Sequence, residues 1–174
     1  MPIIDLNTVH NPTSGAVAPA SWGDAVRDNF EYLADPPSCS VFHNTTQNAL
    51  NNTMTVLSAN SENYDNNGMH STVTNTSRIT IQTAGRYELN CVVNFNGAGS
   101  GSPSARLVEF YVNGTTSYGA GQIPDAGTAA TTQMYGSRTL TLIVGDYVEV
   151  RVRQQSGVTV AVTLNEFWAL WRTR

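Results

Sequence analysis

Thr83–Phe95 reads TAGRYELNCVVNF, and its side chains alternate with a period of two. Tyr87, Leu89, Cys91, Val93 and Phe95 share one face, with Glu88, Asn90 and Asn94 opposite. A backbone that puts successive side chains on opposite faces is a strand, and five apolar residues on one face need a partner layer to cover them. The same period continues on both sides. RLVEFYVNGT (106–115) places Val108, Phe110 and Val112 inward and stops at Asn113-Gly114, a pair that tolerates the positive φ angles of a tight hairpin turn. SRTLTLIVGDYVEVRVRQQSG (137–157) reads as two strands joined at Gly145-Asp146. Leu140, Leu142 and Val144 face inward on the first, and Val148, Val150 and Val152 on the second. VTVAVTL and FWALWRTR close the chain, with Trp168 and Trp171 on opposite faces of one strand, while CSVFH, MTVLS and SRITI are shorter candidates. Eight or more strands with frequent turns predict an all-β sandwich or jelly roll.

Only one stretch departs from this pattern. SWGDAVRDNFEYLADPP (21–37) carries Trp22, Val26, Phe30 and Leu33 at spacings of four, four and three, a helical stripe. Ser21 is a candidate N-cap, and Pro36 and Pro37 end the helix. An isolated helix of this length is marginal in water, so the stripe needs a surface to lie on. Residues 1–20, punctuated by Pro2, Pro12 and Pro19, read as an extended arm. The chain thus divides into 1–36, arm and helix, and 37–174, the β head.

The chain has 174 residues, enough for one well-buried domain with an appendage. Charged residues are only 13%, and Thr, Asn, Ser and Gly carry the polarity instead. The nine basic residues are all Arg, spread from Arg27 to Arg174 in a chain of net charge −4. Nucleic-acid binding needs a concentrated basic footprint, which this distribution lacks. The N-terminus has no basic region followed by an apolar core, so no secretory signal is expected. No apolar run is long enough for membrane insertion. Four N-x-Ser/Thr sequons, at Asn44, Asn51, Asn75 and Asn113, follow from the Thr- and Asn-rich composition.

No catalytic constellation assembles. His10, His43 and His70 are the only histidines, and a Ser71–His70–Asp65 set lacks triad spacing and a nucleophile elbow. The chain is expected not to be an enzyme and to carry no cofactor. NYDNNG (63–68) imitates the start of a calcium loop. Asn63 stands where an Asp belongs, however, and Thr74 where a bidentate Glu belongs, so a turn is expected and no metal. The glycines at 97, 99 and 101 fit no phosphate-loop spacing. Tyr118, Tyr135, Trp168 and Trp171 are candidates either for stacking on sugar rings or for packing in a core or subunit interface. Cys91 reads as a buried thiol, with a Cys39–Cys91 disulfide as the alternative.

The order of these motifs resembles the trimeric jelly roll of complement globular heads and tumour-necrosis-factor-like proteins. The resemblance is carried by SRITIQTAGRYELNCVVNF, FYVNGTTSY, LTLIVGDYVEVRVRQQSG and the final aromatic strand, and it covers roughly residues 38–174. More narrowly, YDNNGMHSTVTNTSRITI and SWGDAVRDNFEYLA resemble segments of bacteriophage virion proteins that place such a head behind an N-terminal attachment region. The resemblance implies a structural virion protein, assembled in the bacterial host cytoplasm as a homotrimeric tail or capsid appendage. Residues 1–36 would hold it to other virion proteins, and the head would be displayed to a host cell-surface glycan or protein. Trp22, Val26, Phe30 and Leu33 are then candidates for attachment or for an oligomerisation seam. Tyr87, Phe110 and Trp168 are candidates for the trimer core. The loops around Tyr64, Asp65 and His70, and around Tyr118 and Gln122, are candidates for distal receptor contacts. The alternatives are a capsid decoration or head-fibre protein without a receptor role, and a carbohydrate-binding module.

Overall fold

The computed structural model describes residues 20–97, 105–124 and 131–173. The chain divides into two compact units after Pro37. In the first, α1 spans Ala20–Ala34, one residue ahead of the Ser21 cap expected from sequence, and Pro36 and Pro37 follow its end. The expected arm lies outside the described residues.

The second unit is a jelly-roll sandwich, as its alternating pattern predicts. Its strands among the described residues are β1 Ser38–Phe42, β2 Gln47–Ala49, β3 Thr55–Val56, β4 Ser61–Asp65, β5 Arg78–Thr80, β6 Gly85–Phe95, β7 Ala105–Val112, β8 Thr116–Pro124, β9 Thr132–Leu142, β10 Tyr147–Gln154 and β11 Val160–Thr173. One sheet runs β4-β1-β11-β6-β9, with β2 also on β11. The other runs β3-β10-β7-β8, with β5 also on β10. Strands β9 and β10, which sequence joins at Gly145-Asp146, lie in different sheets, so that turn crosses the sandwich.

Between the sheets lie the faces read from sequence. Tyr87, Leu89, Cys91, Val93 and Phe95 are buried on β6; Val148, Val150 and Val152 on β10; and Val108 and Phe110 on β7. Phe110 and Phe167 meet across the gap with ring centroids 5.9 Å apart. Burying each such side chain contributes about 1.5–3 kcal/mol, which makes this layer the main source of stability. Val144 does not join it. It is 62% exposed because β9 ends at Leu142 and the turn begins there.

Two sequence readings need correction, both for Gly- and Asn-rich stretches taken as loops. Tyr64 and Asp65 close strand β4, which pairs with β1 through Tyr64–Ser40 and Asp65–Cys39. Tyr118 and Gln122 belong to β8, an edge strand paired with β7 through Tyr118–Phe110 and Gln122–Leu107. Glycine in β8 marks a bulge opposite Val108/Glu109 and a close approach: a Cβ on Gly121 would stand 3.1 Å from the Tyr135 carbonyl oxygen. The hairpin turn behaves as read, with Asn113 at φ 53° and Gly114 at φ 64°. Asn113 also ties two turns together, donating from Nδ2 to Asp146 Oδ1 at 2.8 Å and accepting from the Tyr147 amide at 2.9 Å.

Gly136 tests the packing. A Cβ there would lie 2.7 Å from both the Cys91 sulfur and the Ala120 methyl. Gly136→Val is expected to lower unfolding free energy by roughly 1–3 kcal/mol through overpacking. Urea unfolding followed by circular dichroism would measure it, and an unchanged midpoint would show that the layer has slack.

Candidate functional site

The helix stripe faces outward. Phe30 and Leu33 are 68% and 64% exposed, Trp22 is 40% exposed and Val26 half-buried. The buried residues of α1 are Ala25 and Tyr32, a quarter turn round the helix from the stripe. Arg27 pairs with Asp24 at 3.1 Å and Asp28 at 3.0 Å on the solvent side, contacts of little energetic weight.

The three residues expected at a trimer core separate. Tyr87 and Phe110 have no exposed surface in the single chain and pack inside its own sandwich, so neither can reach a neighbour. Trp168 points the other way. It occupies a row crossing five of the six strands of the first sheet: Tyr64 on β4, Ser40 on β1, Trp168 on β11, Asn90 on β6 and Ser137 on β9. The outward rows on either side of it hold Glu166, Val92 and Tyr135 on one side and Leu170, Glu88 and Thr139 on the other. This outward face therefore carries Trp168, Val92, Leu170, Tyr64 and Tyr135 among Ser, Thr and Asn and the carboxylates Glu166 and Glu88. Ser40, fully buried, donates to Glu166 Oε1 at 3.0 Å and accepts from Asn63 Nδ2 at 3.0 Å. Burial first, and then the Glu166 carboxylate, push the Tyr64 phenol above its ordinary pKa.

The outward face of the second sheet is of another kind. Arg151 Nε lies 2.8 Å from Glu109 Oε2 with its guanidinium 3.7 Å above the Tyr111 ring. Arg78 Nε lies 3.2 Å from Glu149 Oε1 and its guanidinium 3.9 Å above the Tyr147 ring. Arg151 and Arg78 are thus each matched by a carboxylate and an aromatic face. These pairings distinguish this face from the Trp168 face, whose rows include Val92, Leu170 and Tyr135.

Of the residues expected to contact a receptor, Tyr64, Asp65 and His70 lie on β4 or in the turn after it, near the end where the chain enters the head. The turn after β4 is clipped to Ser38, where the chain enters the head: the Asn66 amide donates to the Ser38 carbonyl at 3.2 Å, and the Ser38 amide to Asn66 Oδ1 at 2.8 Å. Asp65 accepts from the amides of Asn67 at 3.1 Å and His70 at 2.8 Å, so its carboxylate is spent on the turn. The His70 side chain has no exposed surface. It bridges Glu62 Oε1 at 2.8 Å and the Thr76 carbonyl at 3.1 Å. Asn63 turns away to Ser40 and Asn67 toward Thr83 Oγ1 at 3.4 Å, so NYDNNG does not converge on one point. Among the described residues no cluster of His, Cys, Asp and Glu could hold a metal ion.

Cys39 and Cys91 are free and buried. Strand β11 runs between β1 and β6, which puts the two thiols roughly 10 Å apart, beyond disulfide reach. Burial pushes Cys91 up to about 12 from the ordinary 9.0, and burial together with Asp65 and Glu62 pushes Cys39 up as well.

A further surface was missed in sequence. The inward alternation Val148, Val150, Val152 ends on Gln154, a fully buried amide. Its Nε2 donates to the carbonyls of Ala49 at 3.1 Å and Val158 at 2.7 Å, and its Oε1 accepts from the Ser156 amide at 2.7 Å and Ser156 Oγ at 2.6 Å. All its bonding capacity is used. The floor it makes carries a shallow depression lined by Asn51, Asn52, Gln155, Ser156 and Gly157. The signal in sequence was a polar residue at an inward strand position.

These features define an all-β jelly-roll sandwich. No family model and no curated protein matches the chain. Solved structures do match. The globular domain of zebrafish complement 1qA protein superposes with a TM-score of 0.54 at 19% identity, covering 79% of this chain and 98% of that one. At this identity the likeness shows the fold.

The buried thiols set a pH dependence. A folded-state pKa of about 12 lies above the ordinary 9.0, so the Cys91 contribution to stability is fully present below pH 9 and is lost as pH rises toward 12. Urea midpoints should fall over that window by up to about 1.4 kcal/mol per pH unit per thiol. A Cys39→Ala/Cys91→Ala protein should show a shallower decline; an identical slope would assign the loss to other groups.

Proposed function

We propose that this chain is a structural protein of a bacteriophage particle, a homotrimeric appendage attached through residues 1–36 and displaying its jelly-roll head. The observation that carries the assembly is the outward row Tyr64–Ser40–Trp168–Asn90–Ser137, with Val92, Leu170 and Tyr135 beside it. A half-buried Trp amid Val, Leu and Tyr is the composition of an interface centre, and the opposite sheet has no equivalent. The count of three follows from the resemblance to complement and tumour-necrosis-factor-like heads. Trp168 thus keeps its place at the subunit interface, and Val92 and Leu170 replace Tyr87 and Phe110 there. The particle assignment is supported by the resemblance of residues 21–34 and 64–81 to virion proteins.

The exposed stripe of Trp22, Phe30 and Leu33 supports attachment, since three large apolar side chains in solvent mark a surface made for a partner. The role is non-enzymatic. On the particle, the head faces the host, where a surface glycan or protein is the partner class.

Light scattering on the full chain should give three times the protomer mass. Trp168→Asp should give monomers whose far-ultraviolet circular dichroism is unchanged, because Trp168 lies outside the sandwich core. A monomeric unmodified protein would sink the trimer. A Phe30→Ser/Leu33→Ser protein should remain trimeric but fail to enter particles; loss of trimer mass would instead make the helix the seam. Particles lacking the protein should adsorb poorly to their host, and unchanged adsorption would leave shell decoration as its role.

A further inference from the structure

The depression above Gln154 has a chemistry of its own. Asn51 Oδ1 accepts from the Gly157 amide at 2.9 Å, and Asn52 Oδ1 accepts from Gln155 Nε2 at 3.1 Å. Each of these amides is anchored through one end. Asn51 Nδ2, Asn52 Nδ2 and Gln155 Oε1 make no hydrogen bond among the described residues and are left to solvent. The result is two pairs of donors and one acceptor, oriented by their bonded halves and held over a floor whose own amide is fully satisfied.

The lining has no ionisable group, so it offers a charged ligand no opposite charge. Hydroxyl groups both donate and accept, and neighbouring hydroxyls on a ring match a set of amide donors beside an amide acceptor. Leu50 and Val158, each next in sequence to a lining residue, are 54% and 46% exposed, giving apolar rims for the C–H face of such a ring. The depression has a volume of about 300 Å³, suited to one or two rings. Its backbone is committed too: Asn52 sits at φ 52°, and its amide donates to the Gln154 carbonyl at 2.7 Å.

Position agrees with chemistry. The chain enters the head at Ser38, paired with Leu170, while the depression sits by Gln154–Arg106 and Ala49–Val160 at the other ends of the strands. With β6 spanning Gly85–Phe95, the two ends are roughly 30 Å apart. We infer that Asn51, Asn52 and Gln155 form a binding site for a neutral saccharide at the end of the head opposite Ser38. The inference rests on the proposed display of the head and names the ligand class for it. Three copies in a trimer would bind weakly one by one and firmly together on a glycan-coated surface.

The test applies the full chain to immobilised oligosaccharides ending in neutral hexoses or N-acetylhexosamines, beside the same glycans capped with sialic acid. The unmodified protein should be retained on neutral termini and not on capped ones. Asn52→Gly, which suits the positive φ, and Gln155→Ala should each weaken retention about tenfold, with melting temperature and mass unchanged. Retention of both variants at the unmodified level, retention on acidic glycans alone, or no retention on any neutral glycan would each overturn the inference. A trimer that binds no neutral glycan defeats only this site; a monomer that binds them defeats only the proposed assembly.

Discussion

Burial of one set of alternate side chains between two sheets is the constraint on which the rest of the head depends. Tyr87 to Phe95 on β6 can lie in water only at a cost of several kcal/mol, and Val148 to Val152 on β10 face the same cost. Each set is the other's cover. Once the apolar set is fixed inward, every side chain of the opposite set is fixed outward, because a one-residue slip would exchange them. The Trp168 row and the Arg151–Glu109 network are therefore consequences of the core. They are the outward sets of two different sheets.

That logic explains which parts were legible. Long strands with clean alternation, such as β6 and β10, declare both their period and their inward face. Strands β2, β4 and β8 do not, because each is held by backbone pairing and short polar or glycine residues, which local composition renders as loop. Gly121 is glycine because β8 passes close to the Tyr135 carbonyl, a tertiary reason that no window of sequence contains. The misplacement of Tyr87 and Phe110 has a related cause. Apolar residues in the inward set were free to be assigned to a core or to an axis, but the protomer's own core claims them first. The signal for an interface is an apolar residue stranded in the polar set, and Trp168, set between Ser40 and Asn90, is such a residue.

Gln154 is the mirror case. A polar residue in the apolar set must find partners inside, since an unsatisfied buried amide costs about 1–3 kcal/mol. Its donors and acceptors reach Ala49, Ser156 and Val158 and so bind two connections into one floor. Trp168 outward and Gln154 inward are thus both exceptions to the alternation of apolar and polar residues.

Low charge links these two places. With 13% charged residues and no Lys, the head covers its surface with Asn, Gln, Ser and Thr. Such a surface has little long-range field to steer ligands, so recognition must come from short-range hydrogen bonds and shape. An amide-lined depression works in that way and is insensitive to salt. The proposed assembly face and the proposed contact site are thus separated by the length of the strands. Proximity to Ser38 ties the β4 turn to the end where the chain enters, which is why Asp65 and His70 are bound up in structure while Asn52 and Gln155 keep hydrogen-bonding groups open to solvent.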